Sequence, residues 1–139
     1  MEYKNLTLSG SEKIGLVSNL ATMLTAGIPI LEAVDSLLED IKGSQKRVLE
    51  TLREDLIQGR RVWSALAKFP RAFDKVTVSV IKASEEAGTL DVTLRDLKEQ
   101  IRKQQEFDDK IRGAMIYPAF ILLVFLGVFL VILFVVIPK

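Results

Sequence analysis

The stretch Gly113–Pro138, GAMIYPAFILLVFLGVFLVILFVVIP, decides how the rest of the chain is read. It carries no charged side chain, and from Met115 to Ile137 every residue is apolar except Tyr117. The period-two alternation of a half-buried strand is absent. As a helix, residues 115–137 rise about 34 Å, enough to cross a hydrocarbon core of about 30 Å with some tilt. Inside lipid, a lone segment can satisfy its own backbone hydrogen bonds only as a helix. The alternative is the buried central helix of a soluble protein. A chain of 139 residues has too little surrounding surface to enclose such a helix on all sides. The residues before 113 are therefore expected to form a soluble domain tethered to a membrane.

The remaining composition excludes more than it suggests. Nineteen basic and 18 acidic residues leave a net charge of +1, which gives no general drive toward nucleic acid or anionic lipid. Without cysteine there is no disulfide framework. With no histidine either, the common zinc sites and the Ser-His and Cys-His nucleophile pairs are excluded. The start, MEYKNLTLSGSEK, has no apolar signal region, so the apolar stretch is expected to serve as its own insertion signal. Arg102, Lys103, Lys110 and Arg112 precede that stretch, and Lys139 follows it. This basic bias places residues 1–112 on the cytoplasmic side and the C-terminus outside.

Helical punctuation divides the region before the span. Residues 1–8 read as a polar lead. Ser9-Gly10-Ser11-Glu12 has the form of a capping box, predicting a helix with Ile14, Val17, Leu20, Ala21 and Leu24 on one face. Gly27 ends it in a left-handed conformation, and Pro29 opens the next helix, where a missing N–H costs nothing. That helix is expected to bury Leu31, Val34, Leu37, Leu38 and Ile41 and to stop at Gly43. Ser44 can cap a third, carrying Val48, Leu49, Leu52 and Leu56 and stopping at Gly59. A short helical turn, Val62–Lys68, precedes Pro70 and Phe73.

The run Val76-Thr77-Val78-Ser79-Val80-Ile81 alternates like a strand. No second strand candidate exists to pair with it, and an unpaired strand would leave its backbone unsatisfied. It is therefore read as a helix in which Val76, Val80, Ala83 and Ala87 share a face, ended by Gly88. From Leu90 a long helix follows through Leu94, Leu97 and Ile101 to Ile111 and Met115. Its apolar seam lapses at Gln104 and Asp108, where the helix is expected to leave the packed domain. Pro118 removes one bond to Ala114 and is expected to kink the helix at the membrane surface, with Tyr117 at the interface. The fold predicted is all-α: six helices, one of them short, over residues 9–112, the last continuing into a single transmembrane helix at 113–138. The helix–glycine unit at Ala26-Gly27 recurs at Ala87-Gly88, hinting at two similar hairpins.

Several side chains invite a functional reading. Glu85 and Glu86 are adjacent acids, but successive helical residues point about 100° apart and cannot flank one substrate. Glu85 is better read as holding the turn at Gly88. Glu106, Asp108 and Asp109 offer oxygen ligands of the kind calcium takes, fewer than the six a good site needs unless a dimer joins two sets. Arg60, Arg61, Lys68 and Arg71 cluster around the short helix with Trp63. They form the candidate partner surface, since Trp and Arg are enriched at binding hot spots. The span has no ionisable or amide residue and cannot by itself line an ion path. Gly127, its interior glycine, has no small residue four positions away, so no GxxxG face is evident. Neither a cofactor nor a metal is expected.

Taken in order, these marks resemble the type II secretion system F family. Leu24-Thr25-Ala26-Gly27-Ile28-Pro29-Ile30 is similar to its L-x-A-G-I-P-L. Gly59, then Ser64-Ala65-Leu66 and Phe69-Pro70-x-x-Phe73, resembles its G-x-S-L-x-x-A-L…P-x-x-F segment. Ser84-Glu85-Glu86-Ala87-Gly88-Thr89-Leu90 resembles its G-E-x-x-G-x-L, with Ser84 where the family usually has glycine. Lys110-Ile111-Arg112-Gly113-Ala114-Met115-Ile116-Tyr117-Pro118 resembles its K-I-x-x-A-x-x-Y-P entry to the membrane. Val62-Trp63-Ser64 departs from the family's small serine-rich turn.

The resemblance implies a non-enzymatic platform in a bacterial inner membrane, acting in type II secretion or type IV pilus assembly. Its implied partners are a cytoplasmic assembly ATPase, other inner-membrane assembly proteins, and pilin or pseudopilin. It also implies an antiparallel six-helix bundle that forms a homodimer or higher homo-oligomer, and a chain corresponding to the first half of a longer protein with two such domains. The alternative is a membrane-tethered helical adaptor that binds a soluble partner.

Overall fold

A computed structural model describes residues 3–137; Met1, Glu2, the expected end of the span at Pro138, and Lys139 lie outside the described residues. Among the described residues there is no strand. Six α-helices follow in order: α1 Gly10–Thr25, α2 Ile30–Asp40, α3 Ser44–Ile57, α4 Val62–Leu66, α5 Lys75–Ala87 and α6 Leu90–Val131. A 3₁₀ turn at Tyr3–Asn5 precedes them and a π-helical turn at Ile132–Val136 follows. The expected all-α fold is thus the one found. The contacts divide the chain into two units, residues 3–102 and 103–137.

Local chemistry sets the boundaries of the first unit. At the start of α1 the capping box is closed both ways: the Ser9 N–H donates to Glu12 Oε2 at 2.8 Å, and the Glu12 N–H to Ser9 Oγ at 3.3 Å. Three helices end alike. Gly27, Gly59 and Gly88 have φ of 83°, 75° and 72°, a region that costs residues with a Cβ one to several kcal/mol. In each, the next residue's N–H reaches back to close the last turn: Ile28 to Met23, Arg60 to Asp55, Thr89 to Ser84. The helix–glycine unit at Gly27 and Gly88 is therefore the same backbone device used twice. At the head of α3 the structure departs from expectation. Gly43, with φ of 69°, occupies the cap, and Ser44 is already helical and makes no capping bond. A positive-φ cap needs glycine more than it needs a hydroxyl. The short helix α4 stops at Leu66, two residues before the expected Lys68.

α1 packs on α2 and α3, α2 on α3, α3 on α4, and α4 on α5. The core they enclose holds Leu16, Val34, Val48, Leu49, Leu52 and Val62, together with Phe69, Ile81 and Leu94. In α1 the buried face is Leu16, Val17, Leu20 and Ala21; Ile14 and Leu24 are half-buried at its edges. In α2, Ala33 joins Val34 and Leu37, while Leu31, Leu38 and Ile41 are half-buried. The lead is less polar than its sequence suggested. Leu8 is buried, Leu6 packs against the core, and the Tyr3 ring meets buried Phe69 edge-on at 5.6 Å.

α5 resolves the strand-like run as helix, as expected. Its buried residues are Ile81 and Ser84. The face shared by Val76, Val80, Ala83 and Ala87 is the exposed one, with Val76 70% and Val80 51% accessible. From α6, Leu94 is buried in the core and Leu90, Leu97 and Ile101 pack against it.

In the second unit, residues 106–137 are exposed throughout. Helix α6 carries Pro118 within it and runs on to Val131 without a break. Residues Leu90–Val136 form one helix long and apolar enough to cross a membrane, and none of its apolar window is buried. An enclosed core helix would be covered; this one presents its aliphatic side chains outward.

Capping chemistry makes stability depend on pH. The Ser9 backbone and hydroxyl hold the Glu12 carboxyl below the usual range, and the hydrogen bonds of Thr77 do the same for Asp74. A depressed carboxyl pKa contributes stability that is present above the unfolded value and lost as pH falls through the folded one. Thermal melts in detergent should thus weaken below about pH 4. Asp74→Asn keeps the cap while removing its titration and should flatten that fall; Asp74→Ala should cost about 1 kcal/mol at neutral pH.

Candidate functional site

The expected partner surface centres on α4, a five-residue helix too short to persist alone. It is fixed from both sides by carboxylates that the sequence leaves far away. The Glu85 side chain of α5 accepts from the backbone N–H groups of Val62 at 3.0 Å and Trp63 at 3.2 Å. Glu85 therefore caps the start of α4 rather than bracing the turn at Gly88, which closes through its own backbone. Glu86, one residue on, is exposed. The two adjacent acids thus face different surroundings, as helical geometry requires.

The second carboxylate is Asp55 of α3, 3% exposed at its side chain. Arg60 Nη1 donates to its Oδ1 at 3.1 Å, and Lys68 Nζ lies 2.8 Å from Oδ1 and 2.7 Å from Oδ2. A carboxylate this deeply buried would be costly alone, and two half-exposed cations offset that cost. The arrangement ties the end of α3 to the residues on either side of α4. Arg60 and Lys68 are consequently committed to the fold.

Trp63 is half-buried against the core, and Lys82 Nζ stands 4.8 Å over its ring, a cation–π contact. Arg61 and Arg71 are exposed. Of the five residues expected to meet a partner, these two remain as outward-facing cations. Ser84, where the resemblance leads one to expect glycine, is buried and donates its hydroxyl to the Ile81 carbonyl at 2.9 Å, so its polar atom is satisfied within its own helix. Glu106, Asp108 and Asp109 are exposed. Among the described residues no three metal-ligating side chains come together.

Asp55 went unremarked in the sequence although a signal was present. It follows Val48 by seven residues and Leu52 by three, in register with the apolar face of α3. A lone acid in that register asks for cationic partners. If Arg60 serves Asp55, Arg60→Glu should lower stability by about 1–3 kcal/mol by placing a second carboxylate beside a buried one. Arg61→Glu should change it by less than about 0.5 kcal/mol. Urea unfolding followed by far-UV circular dichroism separates the two.

Comparison with known proteins gives this geometry a family. The chain is 34% identical over 130 residues to the type 4 fimbrial assembly protein PilC of Pseudomonas putida, covering 93% of this chain and 32% of that protein. It is 33% identical over 132 residues to the type II secretion system protein F of Aeromonas hydrophila, covering 94% and 34%. It is 32% identical over 132 residues to the type IV pilus assembly protein PilC of Myxococcus xanthus, covering 94% and 32%. The chain thus spans about a third of the length of these curated relatives. The family profile described as type II secretion system (T2SS), protein F, matches residues 16–138, and the chain belongs to that family.

Proposed function

We propose that the chain is a non-enzymatic platform component of a bacterial inner membrane, serving type II secretion or type IV pilus assembly. In this reading residues 1–112 lie in the cytoplasm and receive conformational work from a separate assembly ATPase. Helix α6 passes that work toward pilin or pseudopilin and the other membrane components, and the platform self-associates as a dimer or higher oligomer. The observation that carries the proposal is that α6 supplies both Leu94 of the buried core and the apolar span, in a chain of this family. The basic residues Arg102, Lys103, Lys110 and Arg112 just before the span support the orientation. The absence of histidine and cysteine, which leaves no Ser-His or Cys-His nucleophile pair and none of the common zinc ligand sets, supports the proposed role.

Arg61 and Arg71 are the cleaner probes of a partner surface, because reversing Arg60 or Lys68 would also disturb Asp55. Arg61→Glu with Arg71→Glu should cut secretion or piliation at least tenfold while the protein stays inserted and folded. Unchanged assembly would move the partner surface elsewhere. Replacing residues 115–137 by an unrelated apolar helix of equal length tests the platform reading itself. Loss of assembly with normal insertion is the expected result, and retained function would favour a simple membrane-tethered adaptor.

A further inference from the structure

One face of α6 changes chemistry in a fixed order as the helix enters its apolar stretch. Lys110, Tyr117, Ile121, Val124 and Val128 fall within an arc of about 60°. Beyond Tyr117 that face is an apolar groove of about 250 Å³, lined by Phe120, Ile121, Val124, Phe125 and Val128. Phe120 and Phe125 stand about 70° to either side of the centre of the arc and form its walls. The β-branched side chains between them form its floor. Before Tyr117 the same face is nearly bare. Gly113 and Ala114 separate Tyr117 from Lys110, and a Cβ on Gly113 would meet nothing within 4 Å.

We propose that this face of α6 binds one anionic phospholipid. The Lys110 ammonium pairs with the headgroup phosphate, the Tyr117 hydroxyl donates to the same headgroup, and one acyl chain lies between the rings of Phe120 and Phe125. Charge, hydroxyl and apolar groove follow one another in the order in which a phospholipid presents its own parts. Lys110 is exposed, makes no salt bridge among the described residues, and is the last charged side chain on this face before the span. It lies about 10 Å from Tyr117 along the axis. Side chains of a helix lean toward its N-terminus, so the exposed Tyr117 ring leans back over the Gly113–Ala114 recess toward Lys110. The flexible lysine stem covers the remaining distance.

The preference for an anionic head is local, since the chain as a whole carries only +1. Asp108 and Asp109 lie about 170° and 90° from the centre of the arc. Glu106 shares the face, but one turn, about 6 Å, farther from the span than Lys110. A zwitterionic head brings its own cation, which competes with Lys110 for the phosphate. An anionic head has no such competitor. The inference needs the span to lie in lipid, and it holds whatever machine the chain serves.

The test places the full chain in nanodiscs of equal parts phosphatidylglycerol and phosphatidylcholine. Native mass spectrometry then counts the lipids that the released protein retains. Phosphatidylglycerol should be retained over phosphatidylcholine about fivefold, and Lys110→Gln should remove most of that preference. Arg112→Gln makes the same charge change at nearly the same depth, about 150° from the centre of the arc, and should leave the preference within about twofold. Phe120→Leu with Phe125→Leu should lower phosphatidylglycerol retention about twofold or more, whereas Phe134→Leu, exposed elsewhere on the span, should not. Co-flotation with vesicles and circular dichroism establish separately that each variant is inserted and helical. Equal retention of the two lipids by the unaltered chain overturns the proposal. So does a loss in Arg112→Gln as large as in Lys110→Gln, which would mean diffuse attraction to the surface. Retention indifferent to Phe120 and Phe125 also overturns it, and would leave the groove to another occupant such as a neighbouring helix.

Discussion

Inside hydrocarbon a peptide group has no water to bond, so each N–H and C=O must find its partner within the segment. That constraint organises the whole chain. For residues 115–137, the candidate span, it favours a helix whatever the intrinsic preferences of their valines, isoleucines and phenylalanines. It also explains an exterior that would be untenable in water, where a contiguous exposed apolar surface of this extent invites aggregation. The first unit obeys the opposite solvent rule. Its apolar side chains turn inward around Phe69, Leu49 and Ile81, and its charges, buried Asp55 apart, remain at or near the surface. Helix α6 is the one element that contributes to both units, changing from a half-buried seam at Leu90, Leu97 and Ile101 to an all-apolar exterior beyond Gly113.

A small helical unit with a five-residue helix at its centre needs more than apolar burial to hold that helix in place. Two carboxylates supply it. Glu85 satisfies exposed N–H groups at the start of α4, and Asp55 gathers cations from before and after it. Both are charge-assisted contacts, roughly twice as strong as neutral hydrogen bonds and sensitive to geometry. They change the meaning of the basic cluster. Arg60 and Lys68 read as surface charge in the sequence, yet their nearest task is to neutralise a buried acid. Arg61 and Arg71, spaced among them, are the ones left to meet something else.

The elements of the fold were legible because the signals that end helices are local. A positive-φ glycine acts through its own backbone, so Gly27, Gly59 and Gly88 could be placed from the sequence alone. The capping box at Ser9 needs only four residues. The helical reading of Val76–Ile81 came from counting strands and finding no partner. Which face of that helix lies inside was not legible, because aliphatic residues occur on both sides: Val78 and Ile81 inward, Val76 and Val80 outward. Periodicity identifies an apolar face but cannot say whether the same chain covers it. The roles of Asp55 and Glu85 were hidden for a related reason. The partners of Glu85 lie 22 and 23 residues away, and one cation on Asp55 lies 13 residues away. The candidate site was therefore half readable: the residues around α4 could be named, while the division of Arg60 and Lys68 from exposed Arg61 and Arg71 required coordinates.

In the mechanism advanced here, α6 transmits because it is helical where the packed seam ends, at Gln104 and Asp108, as well as on either side. The most direct test is to insert a four-residue Gly-Ser linker after Gln104, which interrupts the helix but spares the core and the span. The account predicts that the protein remains folded and inserted while secretion or pilus assembly is abolished. Assembly at the unaltered level would contradict it, and would reduce α6 from a coupler to a tether.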